Sequence, residues 1–174
     1  MNREFILKYF PVGSVGAEIG VWQGAFAKKI YETVKPRLFY LIDPWRFIET
    51  YPDRWYGGKL AQSQLDMDTI YHDVVKYFST NNVKILRIYS NEMKKYINYD
   101  ELDWVYIDGN HSYKYVLNDL MISYDLVKTG GIIAGDDYEI GNDIQLAVTD
   151  FIQTNGINVE LTLQTDRQFI LTKK

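Results

Sequence analysis

At 174 residues the chain, residues 1–174, has the length of a single domain and can bury roughly 70% of its unfolded surface. A composition of 47% apolar and 24% charged residues is that of an ordinary globular protein and leaves no room for disorder. No apolar run approaches the ~20 residues of a membrane helix, and Met1 to Phe10 is too short and too polar for a secretory signal, so a cytoplasmic protein without membrane contact is expected. The absence of cysteine excludes disulfides, zinc-thiolate sites and thiol nucleophiles, while a net charge of -4 without clustered Lys and Arg argues against nucleic acid as a partner; a homo-oligomer is left open.

Apolar runs of strand length alternate with helix-period segments along the chain. That alternation predicts a Rossmann-like, doubly wound α/β fold, with a mostly parallel sheet covered by helices on both faces. The predicted strands are Val15–Val21, Leu38–Asp43, Val83–Tyr89, Leu102–Asp108 and Ile132–Gly135. The predicted helices are Ala25–Val34, Leu60–Ser79, Glu92–Ile97, Tyr113–Val127 and Asp143–Thr154. Two β-rich runs follow, Val159–Gln164 and Gln168–Thr172. Only Thr165-Asp166-Arg167 joins them, too little for a parallel crossover, so they should form an antiparallel hairpin at one sheet edge. The aromatic segment Trp45 to Gly58 reads either as a lid over the functional end of the sheet or as a cluster capping the core.

The first strand leads into Ala17-Glu18-Ile19-Gly20-Val21-Trp22-Gln23-Gly24. Glycines at 20 and 24 permit a tight turn and a close approach to the main chain. The pattern E-x-G-x-x-x-G differs from a pyrophosphate-binding loop. A carboxylate at Glu18 would repel phosphate and suits a cationic or amino-bearing ligand such as S-adenosylmethionine, unless it simply faces water. Asp43 ends the second strand, where a carboxylate can chelate ribose hydroxyls; a turn or cap role before Pro44 is the other reading. Ser90-Asn91-Glu92 is explained by capping, with an adenine contact from Ser90 as a lesser reading.

Leu102-Asp103-Trp104-Val105-Tyr106-Ile107-Asp108-Gly109-Asn110-His111 delivers Asp108 and then His111 to a strand end, and Gly135-Asp136-Asp137-Tyr138 follows on the next strand. If those strands are neighbours, three carboxylates meet, which is unfavourable unless a cation neutralises them; the other reading is that Asp136-Asp137 caps the last helix or faces solvent. Hard oxygen ligands would suit Mg²⁺, Mn²⁺ or Ca²⁺. His111 is the candidate general base, with Lys114 and Tyr138 as others, unless His111 instead holds the loop by hydrogen bonds. His72 reads as structural, and Asp143 as the cap of the last helix.

These residues resemble the class I S-adenosylmethionine-dependent methyltransferases. More narrowly, they are similar to the macrocin-type sugar O-methyltransferases and cephalosporin-hydroxylase-like proteins, which share the Ile107-Asp108-Gly109-x-His111-Ser112-Tyr113 segment. The resemblance runs from Ala17 through Leu41-Ile42-Asp43-Pro44-Trp45 to Tyr138. It implies five parallel strands plus the terminal hairpin, with the cofactor held by Glu18, Gly20, Trp22, Gly24 and Asp43, beside Ser90 and Asp108. It also implies a divalent metal on Asp108, Asp136 and Asp137, and methyl transfer to a small hydroxylated acceptor such as a sugar or secondary metabolite. Departures are the short stretch before the first strand and Gly-Asp-Asp at the second metal strand. Two other functions compete: a nucleotide- or NAD-binding oxidoreductase domain, which needs a phosphate-compatible loop, and a non-catalytic S-adenosylmethionine-binding module.

Overall fold

The computed structural model describes residues 3–174 other than 140, 157 and 166, with backbone alone at 162–165. Seven strands form one sheet in the order β3-β2-β1-β4-β5-β7-β6. β1 (Val15–Ile19), β2 (Leu38–Ile42), β3 (Val83–Leu86), β4 (Leu102–Ile107) and β5 (Val127–Gly135) pair in parallel. β7 (Gln168–Lys173) lies antiparallel to β5 and to β6 (Val159–Thr165), so the five parallel strands and the antiparallel hairpin are both present. Asp166, in the connection between them, lies outside the described residues.

All five residues of β1 are buried, and so are four of the five in β2 and five of the six in β4. Continuous burial rather than alternation is what a strand covered on both faces requires. One core half lies under α1 (Ala25–Val34) and α2 (Gln64–Tyr77), where Ile30, Phe39, Trp104 and Tyr106 pack together. The other lies under α3 (Tyr113–Leu126) and α4 (Asp143–Asn155), where Val105, Leu120, Leu126 and Phe151 pack. α1 buries Phe26, Ala27, Ile30 and Val34, one stripe of a 3.6-residue period. α3 is different, because its buried residues include the polar Asp119 and Ser123.

Several boundaries differ from the sequence expectation. α2 starts at Gln64, because the Ser63 side chain accepts from the Asp66 N–H, and Trp55–Lys59 instead forms a single π turn. The helix expected over Glu92–Ile97 is a short 3-10 helix over Ser90–Lys95, without a side-chain cap. β5 begins at Val127 rather than Ile132, since a register irregularity between Leu102 and Trp104 absorbs the glycine pair that reads as a turn. Asn142, not Asp143, caps α4 by accepting from the Gln145 N–H. A 3-10 helix over Arg3–Tyr9, which the sequence reading did not foresee, buries Ile6 and Leu7.

Candidate active site

Strand order reverses between β1 and β4, and open α/β sheets bind ligands beyond the carboxyl ends of the strands at such a point. A cavity of about 760 Å³ lies there, within the size range of small-molecule sites. Its wall includes Glu18 near the end of β1, Gly20 and Trp22 after it, Asp43 after β2, Ser90 after β3 and Asp108 and His111 after β4. Gly24 is absent from that wall and caps α1 at φ 74. Gly20 is required for a different reason. A Cβ there would sit 2.2 Å from the Asp108 carbonyl oxygen, so the close approach is between two strand ends.

Asp43 ties together the two loops that form the cavity floor. Its Oδ2 accepts the Trp22 N–H at 3.0 Å and its Oδ1 accepts the Trp45 N–H at 2.7 Å. The indole Nε1 of Trp45 donates to the Trp22 carbonyl at 2.8 Å. Trp22 and Trp45 have φ of 52° and 40°, left-handed conformations that cost a non-glycine residue of order 1–3 kcal/mol and persist only where surroundings hold them. The turn role foreseen for Asp43 is therefore realised, and the same carboxylate stands in the cavity wall. Burial raises its carboxyl, and backbone N–H groups of Trp22, Trp45 and Val21 pull it back down.

Glu18 does not face water. It is 1% exposed, and its Oε2 has no hydrogen-bond partner among the described residues. Burial raises its carboxyl well above the ordinary value, repulsion from Asp108 adds to this, and Arg3 acts in the opposite sense. A buried acceptor of this kind fits a cationic or N–H-bearing ligand and disfavours phosphate.

The carboxylates of Asp108, Asp136 and Asp137 do come to one rim, with cations already among them. Arg3 donates from Nη1 to Asp108 Oδ2 at 2.9 Å, and its other nitrogen pairs with Asp136. Arg167 Nη2 donates to Asp137 Oδ1 at 2.7 Å. The His111 ring lies between Asp108, with Nε2 3.5 Å from Oδ1, and Asp137, with Nδ1 3.2 Å from Oδ2. The divalent ion expected here does not fit the rim so arranged. Its charge is balanced by side chains, and no group of three or more His, Asp and Glu is disposed to hold a metal among the described residues. Asp136, 7% exposed, faces a small secondary hollow rather than the main cavity.

Hydrogen bonding to Asp108 raises the His111 pKa, burial lowers it, and the charges of Asp108 and Asp137 raise it further. The other base candidates are misplaced for the role. Tyr138 packs in the core, its ring centroid 6.1 Å from that of Phe169, and Lys114 is exposed and outside the cavity wall. His72 is exposed on α2 against Tyr71.

The two readings of Trp45 to Gly58 apply to different residues. Trp45 is fully buried against Tyr71, 5.1 Å between centroids, and belongs to the core. Ile48, Tyr51, Arg54, Trp55 and Tyr56 line the cavity, and the half-exposed Trp55 stands 5.9 Å from the Trp22 ring.

Sequence reasoning missed Arg3, Arg167 and Asp119, and Arg167 stood only in the connection of the terminal hairpin. Arg3 was hidden in a terminal segment with no motif, and only its contact with a strand end about a hundred residues away reveals it. Asp119 reads as one more polar helical position, and its period with Val116, Leu120 and Ser123 was the available signal that it points inward.

Fold and site together define a class I S-adenosylmethionine-dependent methyltransferase. Residues 17–138 match a family model described as a methyltransferase domain, and the chain belongs to that family. No curated protein sequence matches it. Solved structures share the fold at low identity. The O-methyltransferase NovP is 18% identical, with a TM-score of 0.69 over 97% of this chain and 75% of its own. SMU.1697c from Streptococcus mutans, in complex with SAH, is 14% identical, with a TM-score of 0.64 over 98% and 94%. An rRNA methylase from Streptococcus thermophilus is 12% identical, with a TM-score of 0.63 over 98% and 93%. Among the described residues, no helix is long and apolar enough to cross a membrane.

Proposed function

We propose that the cavity binds S-adenosylmethionine and that the protein transfers its methyl group to a hydroxyl of a small acceptor, a sugar or secondary metabolite. The observation that carries the cofactor assignment is the buried, unpartnered Oε2 of Glu18 in the cavity wall. Such a carboxylate accepts from an ammonium and favours a neighbouring sulfonium. Asp43 holds its position for the ribose hydroxyls at the second strand end, with both oxygens already oriented by backbone N–H groups. When bound, the cofactor supplies an electrophilic methyl group, and its transfer to oxygen requires the acceptor hydroxyl to lose a proton.

His111 is placed to receive that proton. It lines the cavity, and the flanking Asp108 and Asp137 stabilise the imidazolium that would form. Arg3 and Arg167 keep those carboxylates from repelling one another, so the reaction is derived without a metal step. Tyr51, Trp55 and Tyr56 in the cavity wall offer flat surfaces to a ring-shaped acceptor. Catalysis is then mainly alignment of donor and acceptor, which can supply roughly 7–11 kcal/mol of barrier reduction. NovP, with the same fold, is an O-methyltransferase. Calorimetry with S-adenosylhomocysteine tests the cofactor assignment. Wild type should bind it and Glu18→Gln should bind more weakly, while equal affinity in the two would remove Glu18 from the role. Methyl transfer from labelled cofactor to hydroxylated acceptors tests the reaction, and labelling of RNA alone would refute the small-acceptor reading.

A further inference from the structure

The cavity is divided by charge. Its inner end carries the carboxyls of Glu18, Asp43 and Asp108, whereas its exposed outer lip, in the segment after β2, carries Arg46, Arg54 and Lys59 against the single carboxylate of Asp53. None of these three cations pairs with a carboxylate among the described residues. Elsewhere around the site the arginines are matched, Arg3 with Asp108 and Asp136, Arg87 with Asp68 and Arg167 with Asp137. The lip is nevertheless a built element. The Arg54 N–H donates to the Tyr51 carbonyl at 2.9 Å, the Arg54 carbonyl accepts the N–H groups of Gly57 and Lys59 at 3.1 Å, and the Tyr56 carbonyl accepts the Ile48 N–H at 2.9 Å. Gly57 packs so closely that a Cβ on it would lie 2.0 Å from the Tyr51 carbonyl oxygen. A backbone fixed in this way keeps its charged side chains beside the cavity mouth, in a chain whose net charge is -4. Like charges gathered without a counter-ion repel one another and attract an anion that arrives between them.

Arg54 stands on the acceptor side. Its charge acts on the His111 imidazole, lowering its pKa against the carboxylates that raise it, and its neighbours in the wall are the rings of Tyr51, Trp55 and Tyr56. We infer that the acceptor is a hydroxylated ring bearing a carboxylate, with its hydroxyl at His111, its ring against those aromatic side chains and its carboxylate on Arg54, assisted by Arg46 and Lys59. This rests on the methyl transfer proposed above and adds to it the charge of the acceptor. A guanidinium offers a carboxylate two parallel N–H donors. A single negative charge also suits a lip that holds Asp53, which would repel a phosphate dianion more strongly. The acceptor oxygen gains the methyl group as the carbon–sulfur bond breaks, its proton passes to His111, and the carboxylate is unchanged. Arg54 thus selects and orients the acceptor and touches neither the methyl group nor the oxygen that receives it.

The test uses matched acceptors that differ in charge and little in shape: para-hydroxybenzoate against para-hydroxybenzamide, and glucuronate against glucuronamide. Each is titrated calorimetrically into protein loaded with S-adenosylhomocysteine, and assayed for methyl transfer from labelled cofactor, in wild type, Arg54→Gln and Arg54→Lys. In at least one pair wild type should favour the carboxylate roughly 5- to 50-fold in affinity and in kcat/KM, between the effect of an exposed ion pair and that of a charge-assisted hydrogen bond. Arg54→Gln should bring that pair within about twofold, through KM rather than kcat, and Arg54→Lys should restore part of the preference. Added salt should weaken the preference in wild type. Equal affinity for charged and neutral members in wild type, or a preference that survives in Arg54→Gln, would overturn the inference. So would tighter binding of para-hydroxyphenyl phosphate than of para-hydroxybenzoate, or no binding of any probe by protein that does bind S-adenosylhomocysteine. If Arg54→Gln weakens S-adenosylhomocysteine binding and leaves the acceptor preference intact, Arg54 serves the cofactor's own carboxylate and the inference is again overturned. Failure of wild type to bind S-adenosylhomocysteine would overturn the cofactor assignment itself, and this inference with it.

Discussion

Asp119→Asn should change the pH dependence of stability in a way that the folded environment of one carboxyl dictates. Burial pushes the Asp119 pKa up from 3.8 to about 6, against the opposing hydrogen bonds of Ser90 and Asn118. A carboxyl raised on folding holds its proton more tightly in the native state. Its contribution is therefore most favourable below the unfolded value of 3.8 and is lost as pH rises through about 6. A rise of about two pH units corresponds to roughly 3 kcal/mol, of which about 2 kcal/mol develops between pH ~4.5 and ~8. Asparagine cannot titrate, so the stability of the variant relative to wild type should increase by that amount over this interval. In thermal terms the gain is on the order of 4–8 °C for a chain of this size. Glu18, Asp43 and Asp136 are also raised by burial, but they titrate in both proteins and cancel in the difference. Urea or thermal unfolding of the ligand-free proteins across this range measures it. A stability difference that does not vary with pH would refute the reasoning, because it would mean that the carboxyl pays no desolvation cost in the fold.

His111→Gln should lower the rate of methyl transfer by roughly 10²- to 10⁴-fold while changing cofactor affinity little. In wild type the rate should rise with pH with an apparent pKa above 6.5, since the neighbouring carboxylates raise His111 from that value, and the variant should lose this limb; a rate profile unchanged in the variant would exclude His111 as the base. Turnover of wild type should be unaffected by chelator, whereas Arg3→Gln should lose roughly 1–2 kcal/mol of stability, discounted for the partial exposure of the guanidinium. Abolition of wild-type activity by chelator would restore the divalent ion to the rim. Asp43→Ala leaves two loop N–H groups without their acceptor and should weaken S-adenosylhomocysteine binding at least ~10-fold, read by calorimetry. Gly20→Ala should fail to fold stably, as seen by circular dichroism, because its methyl would lie 2.2 Å from the Asp108 carbonyl oxygen.

Much of the site is local chemistry at strand ends, and for that reason it is legible from residues alone. Asp43, Asp108, His111, Asp136 and Asp137 each follow an apolar run that has to be a strand, and Glu18 is next to last in one, so their arrival at one edge of the sheet follows from parallel topology. The expectation about charge at that edge was also physically sound, since three neighbouring carboxylates need a cation. What could not be read was which cation. Arg3 lies in a segment without periodicity or motif, and Arg167 stands at the far end of the chain beside the hairpin. Both reach the rim only because the 3-10 helix and β7 fold onto the same end of the sheet. The aromatic stretch after β2 was ambiguous for a similar reason: composition does not tell a buried Trp45 from a half-exposed Trp55.

The glycine loop shows the division most clearly. Sequence alone determined that β1 breaks at Gly20 into a helix and that a carboxyl, rather than a phosphate-friendly residue, precedes the break. Periodicity and connection length likewise determined the five parallel strands and the closing hairpin. The tertiary structure decided that Gly20 makes room for the neighbouring strand, that Glu18 is buried without a partner among the described residues, and that Asp43 holds the loop after β1 as well as its own turn. It also decided that a helix residue as unassuming as Asp119 stands on the cavity wall. The reason is one of range. Strand and turn propensities act over a few residues and are written in them, whereas burial, pairing and charge balance depend on contacts between segments tens of residues apart.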